Sequence, residues 1–212
     1  MNYFHMTSFD RIKSISEIGL TPRNEDNSKL VNDEKIKVFF SEGFEGCIAL
    51  FIDFDIVYEN IKNRKTNLLD EELEKKVMQS KDLFEYLKDG VYLQFDGTNI
   101  ENERNFENGC TSEIIFPNML NVCALKNINN NSLTFSRFEI IKYMMSKVKP
   151  EEIKYYGSNY YNSPNFDDAT NRIQQKVKSY YIIHKKEIEK YNNEYYTLEY
   201  IPLNDFVIKY LD

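Results

Sequence analysis

The sequence predicts an α+β fold in a single domain spanning residues 1–212. Three observations lead there. Short strand-like runs are interleaved along the whole chain with segments of helical periodicity. The Asn-rich runs between them have the length of loops rather than of linkers. At 42% hydrophobic and 15% aromatic, the composition supports a packed core and argues against disorder. The weakest point of continuity lies around residues 128–133, and a strand-like run after it suggests that the C-terminal part rejoins the sheet.

The elements follow in order. Residues 2–6 read as a strand with Phe4 and Met6 on one side and Tyr3, His5 and Thr7 on the other. A helix follows, capped by Thr7 or Ser8, with Phe9, Ile12, Ile15 and Ile18 as its apolar stripe. Gly19 stands where a left-handed C-terminal residue belongs. A polar loop over 21–34 leads to a second strand over 35–40. A mostly buried helix is expected over 45–62, and a charged helix over 70–88. Strands are expected over 91–95, 111–116 and 121–126, with a polar loop over 97–109 and a turn over 127–131. An amphipathic helix over 136–148 stops before Pro150. A loop over 155–166, a long helix over 167–191, a strand over 195–200 and a short helix from 203 complete the chain.

Sixteen Tyr and fifteen Phe must supply much of the packing, since there is no Trp. Many of the Tyr are expected half-exposed, because a buried hydroxyl wants a partner. The net charge of −7 disfavours long nucleic acid as an obligatory partner, which needs Lys and Arg against phosphate. It leaves room for a local cleft that binds a small phosphorylated ligand. The odd number of cysteines, Cys47, Cys110 and Cys123, and the presence of only two His write no Cys/His zinc site. Free buried thiols in a reducing cytoplasm are the expectation. The opening residues have neither the basic nor the apolar region of a signal peptide. The longest apolar stretch, 47–58, is too short to span a bilayer.

Three residues stand where chemistry is possible. His5 and Thr7, two apart in one strand, share a face and can touch one ligand; taken alone, His5 is explained more simply as a structural His bonded to a nearby backbone carbonyl. Ser41 closes the second strand, a common ligand position, and serves as well as a helix cap. Glu113, near the start of its strand, either points to solvent or lines a cleft. A carboxylate there can hydrogen-bond a ribose hydroxyl and stabilise an oxocarbenium ion, as the carboxylates of glycosidases do.

In combination these segments resemble the ADP-ribosyltransferase superfamily. Phe4-His5-Met6-Thr7-Ser8, Ile12 to Ile15 and Ile18-Gly19-Leu20 resemble its "His-x-Thr, helix, Gly-Leu" opening. Lys37 to Ser41 looks like its second motif. The polar loop with Arg104, followed by Ser112-Glu113-Ile114-Ile115, resembles the segment through its catalytic Glu, most closely in the DarT-like toxins that modify DNA bases. The likeness covers residues 1–126. It implies a split, mostly antiparallel β-sheet with surrounding helices around an NAD cleft. It also implies that His5 and Thr7 hold the ribose and phosphate side of NAD, and that Ser41 belongs to the same cofactor site. Glu113 would bind the nicotinamide-ribose 2′-hydroxyl. The loop over 97–110, with Arg104, would recognise the acceptor, and Phe44 or Phe40 would stack on nicotinamide.

Two departures narrow the reading. Arginine-directed members carry an acid or amide two residues before the catalytic Glu, where this chain has Thr111. A DNA modifier should present a basic face, and the nearest to one is Arg172, Lys176, Lys178, Lys185 and Lys186 on the long helix; a solvated helix surface explains that run too, and His184 is expected on the same surface. The expected activity is therefore NAD-dependent transfer of ADP-ribose to an unknown protein or nucleic acid, or NAD glycohydrolysis, in a cytoplasmic, toxin-like protein. An RNA 2′-phosphotransferase-like enzyme and a non-catalytic domain that binds NAD, ADP-ribose or a protein are the alternatives.

Overall fold

A computed structural model of the chain describes residues 2–22, 38–43, 47–48, 90–101, 110–152 and 166–212. The expected helices over 45–62 and 70–88 and the loop over 155–166 fall largely or wholly outside these residues. The architecture is α+β. Its main sheet is antiparallel at every pairing among the described residues, and helices cover both faces.

The first strand, β1 (Asn2–Ser8), lies between β3 (Ser41–Glu42) and β4 (Gly90–Asp96). β4 in turn pairs with β6 (Asn121–Asn127). The whole length of β6 runs against β8 (Tyr196–Pro202), so β4 and the short β7 (Ser132–Thr134) share its other edge. A separate two-stranded sheet joins β2 (Val38–Phe39) to β5 (Cys110–Thr111). β7 was not expected from the sequence; three residues following a turn are too few to show a period of two.

Alternation along the strands divides the buried side chains into two cores. Phe4, Tyr92, Cys123 and Leu125 point to one face. There they meet α2 (Arg137–Lys147), α3 (Phe166–Ile183) and α4 (Lys185–Glu189) through Ile140, Ile141, Met144, Tyr180 and Ile188. Tyr3, Val91, Leu93, Phe95 and Val122 point to the other face. Ile12 and Ile15 of α1 (Ile12–Ile18) and Phe206 of α5 (Leu203–Tyr210) pack there, together with Val38 and Ile115. Cys47 and Cys123 are buried, as expected, and neither forms a disulfide.

Several expectations need correction. The helix after β1 starts with a 3-10 turn, Phe9–Arg11, and Ser8 makes no side-chain capping bond. Phe9 and Ile18 are exposed, which leaves Ile12 and Ile15 as the buried stripe. The expected strand over 111–116 ends at Thr111; beyond it the chain bends, and Ile115 forms an isolated bridge with Leu20. The expected long helix over 167–191 is two helices, separated at His184, whose ψ of 18° leaves the α-helical range. His184 is only partly exposed: its ring packs on Tyr180 at 4.2 Å and its Nδ1 lies 3.8 Å from Glu187.

Candidate functional site

His5 and Thr7 lie in the middle and at the end of β1, opposite Leu93 and Val91 of β4. Directly opposed residues of an antiparallel pair share a face. Both therefore belong to the face of Tyr3, α1 and Ile115. His5 is half-buried, whereas Thr7 is fully buried. Phe40 stacks on Tyr3 with ring centroids 4.4 Å apart, so it fills this same core and serves packing.

Ser41 is also buried, yet its register places it opposite Phe4 rather than opposite His5. It therefore shares the face of Phe4, across the sheet from His5 and Thr7. Phe44 and Arg104 lie outside the described residues. Of the basic run on α3 and α4, Lys178, Lys185 and Lys186 are exposed, and Lys185 pairs with Glu189.

Glu113 is exposed and stands in the bend after β5. Two neighbours fix its backbone. On one side, the Glu113 N–H donates to the Thr111 Oγ1 at 3.1 Å, a local turn of the kind that Thr hydroxyls form two residues ahead. On the other, the Leu20 N–H donates to the Ile115 carbonyl at 2.9 Å, and the Ile115 N–H donates back to the Leu20 carbonyl at 3.0 Å. Thr111 and Ile115 are both 0% exposed. Glu113, Ile114 and Phe116 project outward from these two anchors.

Gly19 makes the second anchor possible. Its φ of 80° and ψ of −176° fall in a region open essentially to glycine alone. A Cβ at this position would overlap the Ile115 carbonyl. The sequence marks Gly19 as a helix terminator, and it does end α1, with its N–H donating to the Ile15 carbonyl at 2.8 Å. Its extended ψ then directs Leu20 to the Glu113 segment instead of closing a left-handed cap.

Through these contacts α1 ties the Glu113 bend to the face of the sheet that carries His5. Neither Thr111 nor Ile115 stood out as an anchor in the sequence. The signals were present: a hydroxyl two residues before Glu113, and the apolar pair Ile114-Ile115, of which one member must turn inward. A separate cleft of about 420 Å3 is lined by Lys126, Leu133, Glu199, Ile201, Asp205 and Lys209 among others. None of its lining residues belongs to β1 or to residues 111–116, and Lys126 and Glu199 already neutralise one another at 2.9 Å. Of the residues that the sequence singles out, His5 stands in β1 and the Glu113 bend is tied to the core on the same face through the Leu20–Ile115 bridge. Among the described residues no group of His, Cys, Asp and Glu is arranged to hold a metal ion, and no helix is long and apolar enough to cross a membrane.

No family model, curated protein or solved structure matches this chain.

Proposed function

We propose that the chain is an NAD-dependent ADP-ribosyltransferase or NAD glycohydrolase with the split-sheet fold of that superfamily, acting in the cytoplasm on an unknown macromolecular acceptor or on water. One observation carries the reading. Glu113 is an exposed carboxylate on a backbone held at both sides, tied by the Leu20–Ile115 bridge to the sheet face that presents His5. A polar group pre-organised in this way can meet charge as it develops without the cost of reorganisation.

In the proposed reaction the Glu113 carboxylate accepts a hydrogen bond from the 2′-hydroxyl of the nicotinamide ribose. The bond between the ribose C1′ and the nicotinamide nitrogen breaks, and its electron pair leaves with nicotinamide. The positive charge left on the ribose is stabilised by the negative carboxylate. An acceptor nucleophile, or water, then adds at C1′ and gives up its proton. His5 holds the ribose and phosphate side, and buried Thr7 shapes the strand beneath it. Ser41, on the opposite face, supports the β3 edge rather than this contact. Bound substrate excludes water from around Glu113, which strengthens an interaction that is weak when the carboxylate is fully hydrated.

The test is nicotinamide release from NAD. Glu113→Gln keeps the shape and removes the charge, so release should fall by about 100-fold or more with an unchanged melting temperature. Unchanged turnover in that variant refutes the proposal. Calorimetric binding of NAD by a wild-type protein that does not cleave it supports the non-catalytic alternative instead.

A further inference from the structure

We infer that Thr111 is a positioning residue for Glu113, its buried hydroxyl setting the direction in which the carboxylate leaves the surface. The inference rests on the proposed role of Glu113 for its consequence in catalysis, but the geometry stands apart from that role. Glu113 is the midpoint of a five-residue span whose ends, Thr111 and Ile115, are both fully buried. The Ile115 end is fixed by two backbone hydrogen bonds to Leu20. The Thr111 end is fixed by its place in β5, opposite Val38.

Between these ends the backbone of an exposed bend has several conformations open to it. Anchored ends alone do not choose among them. The bond from the Glu113 N–H to the Thr111 Oγ1 does choose, because it fixes the peptide plane that enters Glu113. The Thr111 hydroxyl is well suited to this. A β-branched side chain has few χ1 options, and burial removes the water that would otherwise compete for the N–H. Position 111 thus faces inward and acts through Glu113 rather than touching a substrate itself.

A threonine kept only for its shape is replaceable by valine, which is nearly isosteric. A threonine kept for its hydroxyl is replaceable by serine and not by valine. Thr111→Val and Thr111→Ser separate these cases, and Thr111→Ala carries the same expectation as valine should the valine variant not fold. Two measurements are made on the full chain. In amide hydrogen exchange followed by NMR, the Glu113 N–H should exchange about tenfold faster in Thr111→Val and at the wild-type rate in Thr111→Ser. In nicotinamide release, Thr111→Val should lower kcat about tenfold with KM for NAD nearly unchanged, and Thr111→Ser should restore it.

Equal exchange of the Glu113 amide in all variants overturns the inference, as does equal loss of kcat in the valine and serine variants. A wild-type protein that releases no nicotinamide overturns the proposed function alone; the exchange experiment then still decides whether Thr111 holds Glu113.

Discussion

On one face of the main sheet, among the described residues, helices of 11 and 18 residues bring Ile140, Ile141, Met144, Val177 and Tyr180 into the core. On the other, the covering pieces among the described residues are helices of seven and eight residues, a two-stranded ribbon and a bend. The helices of the first face are also tied together by polar side chains: Tyr191, Lys190 and Lys142 all donate to Glu139, and Lys142 pairs with Glu187 as well. The second face has an apolar core of its own, and its covering pieces are joined besides by backbone contacts, such as the Leu20–Ile115 bridge and the Leu203 N–H donating to the Leu120 carbonyl. Long helices give a broad interface in which each contact is one of many. Short segments leave chain ends and bends near the surface, held by a few bonds each, and that is where a positioned carboxylate can be displayed. The candidate site lies on this second face.

The comparison breaks most clearly at Phe206. It is fully buried on the face of the candidate site, with ring contacts to Phe9, Phe135 and Tyr210. Phe206→Ala should cost about 3–5 kcal/mol in urea unfolding, because it leaves a cavity where a fully buried aromatic ring packed. A loss under 1 kcal/mol, on the same scale, shows that backbone bridges carry the face without its aromatic cluster. Gly19→Ala comes next. It places a Cβ in a glycine-only backbone region and against the Ile115 carbonyl, and should cost about 1–3 kcal/mol. It should also raise exchange at the Leu20 and Ile115 amides before exchange rises in α2, a local effect that a change in the first face would not produce.

The smallest effect belongs to the first face and depends on pH. Burial pulls the Lys142 ammonium down, but its hydrogen bond to Glu187 and the charges of Glu139 and Glu187 outweigh this, and the net direction is up from 10.5. Glu187 is held below its ordinary 4.5, chiefly by the hydrogen bond from Lys142. The Lys142 contribution is present below its unfolded value and is lost as pH rises through the folded one. The Glu187 contribution is present above its unfolded value and is lost as pH falls through the folded one. The pair should therefore stabilise most evenly between about pH 5 and 10. The Glu187 carboxylate is 55% exposed, so solvent screening limits the contribution to about 1 kcal/mol at most. Melting curves of wild type and Lys142→Met against pH should converge at both extremes. A difference that persists in full at low pH assigns the effect to packing of the Lys142 stem instead.

Strong periodicity was legible without the fold. β1, β6 and the helix over 137–147 lie where their apolar patterns predict them, with ends within two residues of those expected. The segment over 111–116 has strand-forming residues in Ile114-Ile115-Phe116, but only Ile115 has a buried place to go, and the strand stops at Thr111. The helix over 167–191 differs for the opposite reason: nothing local at His184 is a helix breaker, and the interruption comes where Tyr180 packs on the imidazole and Glu187 approaches it. For the candidate site, the shared face of His5 and Thr7 follows from alternation in one strand. The separation of Ser41 from them does not, because it depends on the register between β1 and β3.

By itself the sequence determined the α+β class, the face that each β1 side chain takes, the burial of Cys47 and Cys123, and the end of the first helix at Gly19. These are consequences of local geometry and of solvent preference, which a run of residues carries with it. Tertiary structure alone decided that Ile115 meets Leu20, that Thr111 turns its hydroxyl to the Glu113 amide, and that Glu113 is displayed between them. Such contacts join residues far apart in the chain, or choose one conformation of a bend among many, and their free energy exists only once the two cores have closed around them.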